Sequence, residues 1–408
     1  MKNRILLTVA FLFTLLSLSY SQGSTYTGSY SNSSPIIWNG ISNQTIEQKA
    51  ITNSSGHCIS LSNCSNITIR NCKLGPALNE GVFLYKCTNI TVINCTFETI
   101  ETGLYANQSS GIKFNYNDVK NVQGPYPKGQ MVQFDVVNGG GNSISYNAVE
   151  NILGQSVAED AISLYKSNGI PTDRIQIVGN WIRGGGPSNS GGGIMTGDAG
   201  GSYVNVVNNI LVNPGQYGIA IASGHHISIK NNKVYGKRQS FTNVGIYVFK
   251  QYPTECSTDS VFNNVVNFIH NTGSLNNYYN DNSCGDVTGW NTNTYDVNLN
   301  ENILPVKILA RAKSITTDIP QTPTTPNVEK LKIYPNPATD KLNIVTNALQ
   351  NEGTIDVFNL NGQKLLGLKL NSSNTEVDTT SLIKGIYIVK VTNNNEQPVI
   401  RKITVDKD

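Results

Sequence analysis

Ile67-Thr68-Ile69-Arg70-Asn71-Cys72 and Ile90-Thr91-Val92-Ile93-Asn94-Cys95 are one phrase written twice, 23 residues apart. The phrase recurs as Ile112-Lys113-Phe114-Asn115-Tyr116-Asn117, Ile144-Ser145-Tyr146-Asn147 and Ile175-Gln176-Ile177-Val178-Gly179-Asn180. It continues as Val204-Asn205-Val206-Val207-Asn208-Asn209, Ile227-Ser228-Ile229-Lys230-Asn231-Asn232 and Val261-Phe262-Asn263-Asn264. From Cys72 to Asn264 the spacings are 23, 22, 30, 33, 29, 23 and 32 residues. A short fixed period marks a solenoid, in which each repeat buries its apolar face only by stacking on its neighbours. The longer spacings are the same coil carrying an inserted loop.

A second phrase alternates with the first: Ile59-Ser60-Leu61, Val82-Phe83-Leu84, Leu104-Tyr105-Ala106, Val132-Gln133-Phe134, Ile162-Ser163-Leu164, Ile194-Met195-Thr196, Ile219-Ala220-Ile221 and Ile246-Tyr247-Val248. Apolar residues at every second position make a strand with one buried face. Each coil therefore has at least two strands, and neighbouring coils stack in register. The expected fold is all-β: a right-handed parallel β-helix over 22–311, followed by a small C-terminal β-sandwich. Stacking turns Asn117, Asn147, Asn180, Asn209, Asn232 and Asn264 into a ladder of amides about 4.8 Å apart. Asn also tolerates the left-handed conformation expected at the corner.

The 408 residues include 37 Gly and 15 Pro, with 14% charged, 38% hydrophobic and a net charge of +3. Disorder of the usual kind needs high net charge. A coiled coil needs Ala, Glu, Lys, Leu and Arg in bulk. A nucleic-acid binder needs a strongly basic domain. The composition excludes all three, and no nucleic-acid partner is expected. The charge is uneven: residues 161–250 carry 8 basic and 2 acidic side chains, against 7 and 9 in 22–160 and 2 and 6 in 251–311. A central basic band suits an anionic polysaccharide, bound by a monomer.

The ends read differently. Lys2 and Arg4 precede an apolar run, Ile5 to Leu18, and Ser19-Tyr20-Ser21 offers cleavage before Gln22. This is a signal peptide, 1–21. The run is shorter than the roughly 20 residues of a membrane span. Residues 312–329 are a linker rich in Pro and Thr, as in Ile319-Pro320-Gln321-Thr322-Pro323. Beyond it come short alternating strands, Leu331–Tyr334, Leu342–Val345, Thr354–Phe358, Gly385–Thr392 and Val399–Val405, with an Asn361-Gly362 turn. Tyr334-Pro335-Asn336-Pro337-Ala338-Thr339-Asp340, Gly385-Ile386-Tyr387-Ile388-Val389-Lys390-Val391 and Lys402-Ile403-Thr404-Val405 resemble the C-terminal sorting domain of type IX secretion cargo. The resemblance covers 330–408. It implies export to the medium or the cell surface, with the type IX machinery as partner. A carbohydrate-binding β-sandwich is the alternative.

Seven cysteines follow the coil spacing. Cys64 to Cys87 and Cys72 to Cys95 are each 23 residues apart, as disulfides or buried thiols. Cys256 and Cys284 bracket about one coil and are the expected disulfide in an exported protein. Cys58 is expected to be free.

Aligning the second phrase coil by coil places Lys166, Asp198 and Lys250 on one edge, with Lys166 and Asp198 on neighbouring coils. The Gly-rich stretches Gly184–Gly193 and Gly197–Gly201 border this edge and allow tight corners or close backbone approach. Trp181, Tyr165, Tyr217, Tyr247 and Tyr252 are candidates for stacking on sugar rings. Glu159-Asp160 begins the coil that contains Lys166. With Asp135 these acids are candidate calcium ligands or a general acid and base. His225, beside His226, is a candidate base.

Residues 36–300 resemble the pectate-lyase-like superfamily of right-handed β-helices, on the coil periodicity, the Gly-preceded strands and the Asn ladder. The lyases it contains neutralise a uronate carboxylate with calcium or a basic residue and remove the C5 proton with a Lys, Arg, His or Tyr. The resemblance implies Lys166, Arg183, Tyr247, Lys250 and His225 as catalytic candidates, with Asp198, Arg174, Arg238, Trp181 and Tyr165 binding substrate. The hydrolases carry acidic pairs, and Glu159-Asp160-Ala161-Ile162-Ser163-Leu164 resembles their Asp-Asp-x-Ile-x-Ile strand. Their histidine is absent from the next coil, and Gln130-Met131 stands where they place Asn-Thr-Asp. The leading expectation is a polyuronate lyase acting on an alginate- or pectate-like chain by β-elimination. The alternatives are a glycoside hydrolase using Glu159, Asp160 or Asp198, and a glycan-binding surface adhesin.

Overall fold

The structure is a computed structural model describing residues 22–309, 331–346, 353–359, 364–370, 372, 374–393 and 399–407. The expected signal segment, the linker 312–329 and the Asn361-Gly362 turn lie outside the described residues. The chain divides into two compact units, 1–317 and 318–408.

The first unit is a parallel β-helix with three strands per coil. One coil is Ile59–Ser62, Ser65–Arg70 and Lys73–Ala77, and the next is Val82–Tyr85, Thr88–Ile93 and Thr96–Glu98. Ile59 lies opposite Val82, Ile67 opposite Ile90 and Lys73 opposite Thr96, all parallel. The first two strand columns, built from the second and first phrases respectively, share one hydrogen-bonded sheet, and the third column forms another. Ile59, Leu61, Ile67, Ile69 and Leu74 of one coil are buried on their counterparts in the next. Each such side chain contributes about 1.5–3 kcal/mol by leaving water. The third column is hard to read from sequence because most of its strands are only three or four residues long. Each offers one inward apolar residue, such as Phe97, Val119, Val149, Ile182 or Leu211.

The Asn ladder is continuous. Asn117 donates its Nδ2–H to Asn147 Oδ1 at 3.2 Å, Asn147 to Asn180 at 2.9 Å and Asn180 to Asn209 at 2.9 Å. It runs on through Asn232 and Asn264 to Asn293. Each Oδ1 also accepts the backbone N–H of the rung before it. The expected left-handed backbone is not at these residues. It falls one position earlier, at Tyr116, Tyr146, Gly179, Asn208, Asn231 and Asn263. The ladder position therefore selects the amide, and its neighbour makes the bend. Cys72 and Cys95 occupy the first two rungs, and Cys95 accepts the Cys72 N–H on Sγ at 3.4 Å.

Cys256 and Cys284 are joined by a disulfide. Cys58, Cys64, Cys72, Cys87 and Cys95 are buried free thiols.

The second unit has two antiparallel sheets. One joins Leu331–Tyr334, Lys341–Thr346 and Asn374–Asp378; the other joins Lys364–Leu370, Gly353–Phe358, Gly385–Asn393 and Val399–Val405. Leu342, Ile344, Ile355, Val357 and Val389 are among its buried core. Lys364–Leu370 and Asn374–Asp378 are strands that the sequence reading did not place.

Candidate active site

A register shift assembles the site. In the first column Asn107 pairs with Asp135, and Asp135 with Tyr165. Plain counting along the next coil would set Asp198 beside Lys166. The strand Ile194–Val207 instead bulges: Ser163 pairs with Met195, but Tyr165 pairs with Asp198 and Ser167 with Gly201. Two extra residues are absorbed by Gly197 (φ 67°), Ala199 (φ 54°) and Gly200 (φ 99°). A Cβ on Gly197 would sit 1.8 Å from the Ser223 carbonyl oxygen, so the bulge requires glycine there. Asp135, Tyr165 and Asp198 therefore share one outward row on successive coils. The two carboxyl-bearing strands are two rungs, about 9.6 Å, apart.

This row opens into a cavity of about 290 Å³ lined by Tyr105, Tyr126, Pro127, Lys128, Gln130, Gln133, Asp135, Glu159, Asp160, Ser163, Tyr165, Asp198 and Tyr252. Four of these side chains are carboxylic acids. Lys128 is the only cation among the described residues that line it, and its charge is already engaged. Lys128 Nζ lies 2.7 Å from Glu80 Oε1 and 3.5 Å from the centre of the Tyr105 ring. His57 Nδ1 is 2.6 Å from the other Glu80 oxygen. Burial pushes the Glu80 carboxyl up, but His57 and Lys128 outweigh it and hold it at about 2.

Each acid in the cavity has its own anchor. Asp135 Oδ2 accepts from the Tyr105 hydroxyl at 2.5 Å and from Asn107 Nδ2 at 2.8 Å. Glu159 accepts from Ser190 Oγ at 2.5 Å. Asp198 accepts from the Tyr252 hydroxyl. Asp160 Oδ1 accepts both the Gly192 N–H, at 2.9 Å, and the Tyr217 hydroxyl. Burial raises the Asp160 carboxyl to about 7, and the charges of Glu159 and Asp198 add to the rise. Burial also raises Asp198, against its Tyr252 hydrogen bond. A buried acid still protonated near neutral pH beside other carboxylates is the arrangement that general acid catalysis uses.

The structure brings together Glu159, Asp160, Asp135, Asp198, Tyr165 and Tyr252, with Tyr217 bonded to Asp160 from behind, and the other expected residues do not line the cavity. Lys166 is exposed at a left-handed corner (φ 47°), with Nζ 5.0 Å from the centre of the Tyr165 ring. Lys250 is exposed. Tyr247 is buried in an apolar cluster and its hydroxyl accepts from Gln251. Trp181 and Arg183 belong to the third column, facing outward on either side of buried Ile182. Arg183 binds Glu150 and the carbonyl oxygens of Pro305 and Val306. Arg174 donates to the His226 carbonyl oxygen, and Arg238 to that of Asn271. His225 Nδ1 lies 2.8 Å from His226 Nδ1, on the second column. The basic band is thus spread over all three columns and their corners, not gathered into one strip.

The acids are held by tyrosine, serine, asparagine and backbone donors, and no three His, Cys, Asp or Glu side chains among the described residues are grouped to hold an ion. Tyr126, Lys128, Glu80 and Ser190 were not read from the sequence. The signal for two of them was present: the 30-residue spacing between Asn117 and Asn147 reports the insertion that carries Tyr126 and Lys128.

Residues 34–197 match the family described as the right handed beta helix region. Residues 332–406 match the secretion system C-terminal sorting domain. The chain thus carries a right-handed β-helix region and a C-terminal sorting domain of the type IX kind, and the sorting domain supports secretion or export to the cell surface. Over 79 residues, 19% of this chain, it is 37% identical to beta-agarase D of Zobellia galactanivorans. It spans 16% of the length of that curated relative. A structural likeness to PfbA, a surface adhesin of Streptococcus pneumoniae, covers 64% of this chain and 73% of that one, at 12% identity and a TM-score of 0.25.

Proposed function

We propose that the protein is a secreted glycoside hydrolase acting on a polysaccharide. The observation that carries this reading is the Asp160 carboxyl, buried and raised to about 7 within a cavity that also holds Asp135, Glu159 and Asp198. Asp160 donates a proton to the oxygen of the departing sugar. Asp135 or Asp198, on either side of Tyr165, deprotonates the attacking water. Tyr105, Tyr126, Tyr165 and Tyr252 supply the flat faces on which sugar rings stack. Asp160 must be protonated to act, so turnover falls as pH rises through about 7, and it falls again at acid pH where the base is protonated.

The sorting domain supports the extracellular setting in which polysaccharides are met. A carbohydrate-active role also agrees with the name of the agarase relative, although that likeness spans only 79 residues. Elimination on a polyuronate needs cations at the reacting sugar; Lys166, Arg183, Lys250 and His225 do not line the cavity, and Lys128, which does, is paired with Glu80. The full chain, incubated separately with agarose, laminarin, xylan, pectic galactan, alginate and pectate, tests the reading. New reducing ends without the ultraviolet absorbance of an unsaturated uronate support hydrolysis. Appearance of that absorbance identifies a lyase and overturns the proposal. Binding without new ends leaves an adhesin.

A further inference from the structure

The outward face of the first column is open on one side of the cavity and covered on the other. Ser60, Phe83 and Tyr105 stand in register on consecutive coils and are only partly buried. The Phe83 and Tyr105 rings stack at 5.9 Å and 6°. On the far side the equivalent residues Met195, Ala220 and Tyr247 are buried. They form an apolar cluster with Tyr217, Ala222 and Val244, on the side of the sheet that would otherwise meet solvent. Every residue of Tyr217–Ile221 and Val244–Val248 is buried.

The loop after Val248 completes this cover. Gln251 N–H bonds the Ala222 carbonyl oxygen at 2.8 Å, and Tyr252 N–H bonds Ser223 Oγ at 3.3 Å. Thr254 lies 3.6 Å from the Cβ position of Gly200, so the loop folds back across two coils. Tyr252 packs on the cluster and reaches Asp198. From the other edge the Tyr126–Lys128 segment walls the cavity, fixed by the Lys128–Glu80 ion pair.

We propose that the cavity is blind-ended and takes the end of a polysaccharide chain. The rest of the polymer lies toward the coils of Phe83 and Tyr105. Cleavage within a chain requires free surface on both sides of the broken bond, and the apolar cluster removes one side. The volume of about 290 Å³ is at the lower limit for small-ligand pockets, room for about one or two sugar rings and not a length of polymer. This inference rests on the hydrolase reading. Water breaks the glycosidic C–O bond, its hydroxyl going to the anomeric carbon and its proton replacing the one that Asp160 gives to the departing oxygen.

The test follows products and viscosity together on agarose, laminarin, xylan and pectic galactan. Chain-end action gives mono- or disaccharides from the first time points, while viscosity barely falls. A ladder of intermediate oligosaccharides with a rapid viscosity loss overturns chain-end action and leaves hydrolysis standing. Tyr252→Gly, which removes the ring at the closed end, is expected to shift the products at least severalfold toward longer oligosaccharides. Unchanged products in a folded Tyr252→Gly variant count against the blind end. Where no polymer yields reducing ends the hydrolase reading fails, and calorimetry with the four matching hexasaccharides decides the rest. Binding of a free hexasaccharide but not of the same chain coupled to beads at both ends supports a blind-ended site; equal binding of the two, or none, overturns it.

Discussion

Asp259 accepts the Ile227 N–H on Oδ1 at 2.9 Å, while its Oδ2 is buried without a hydrogen-bond partner. Burial, with the charge of Glu255, raises its carboxyl to about 7. The folded state then binds a proton that the unfolded chain has released above about pH 4. Stability contributed by this group is complete below about pH 4 and is lost as pH rises to 7. Asp259→Asn removes that loss, worth up to about 4 kcal/mol. Thermal melts at pH 5 and pH 8 should show a smaller drop for the variant than for wild type, and an equal drop would contradict this account. Lys166 makes the opposite case. The sequence placed it on the working edge, where Lys166→Ala would abolish turnover. At an exposed corner outside the cavity, the same variant is expected to keep activity within a few-fold of wild type. Its position in the coil was legible; its distance from Asp198 was not, because the bulge at Gly197 moves Asp198 by one place without changing the apolar pattern.

At the scale of the element, the ladder and the columns account for most of what the sequence reveals. Two columns were legible because their apolar residues alternate over two or three positions. The third was not, because one inward side chain per three-residue strand leaves no period, and that is why Trp181 and Arg183 read as site residues. Asn180 shows what the ladder is worth. Its Oδ1 accepts from the Asn147 N–H and Nδ2, and its Nδ2 donates to the Ile144 carbonyl oxygen and to Asn209. Asn180→Ala strands several buried polar groups, at roughly 1–3 kcal/mol each. Urea unfolding should show a loss of about 3 kcal/mol or more. A loss below about 1 kcal/mol would mean that the rungs are not coupled.

At the scale of the whole molecule, the β-helix and the C-terminal sorting domain are two separate cores. The repeats and the sorting motifs made both legible, and the five sequence-placed strands of the second unit occur close to their expected bounds. What sequence did not disclose is the cover over the far coils, since it is built from loop residues whose partners are distant in the chain. Truncation after Thr317 should leave the β-helix with an unchanged Tm, with only export lost; a large fall in Tm would show that the two cores depend on each other. The central claim is that Asp160 is the proton donor, and the rate of reducing-end release across pH 4 to 9, for wild type and Asp160→Asn, tests it most directly. The account predicts a wild-type profile that falls as pH rises through about 7, and a folded Asp160→Asn variant at least about 100-fold slower. Full activity in that variant, or a wild-type rate that climbs through pH 7, would contradict it.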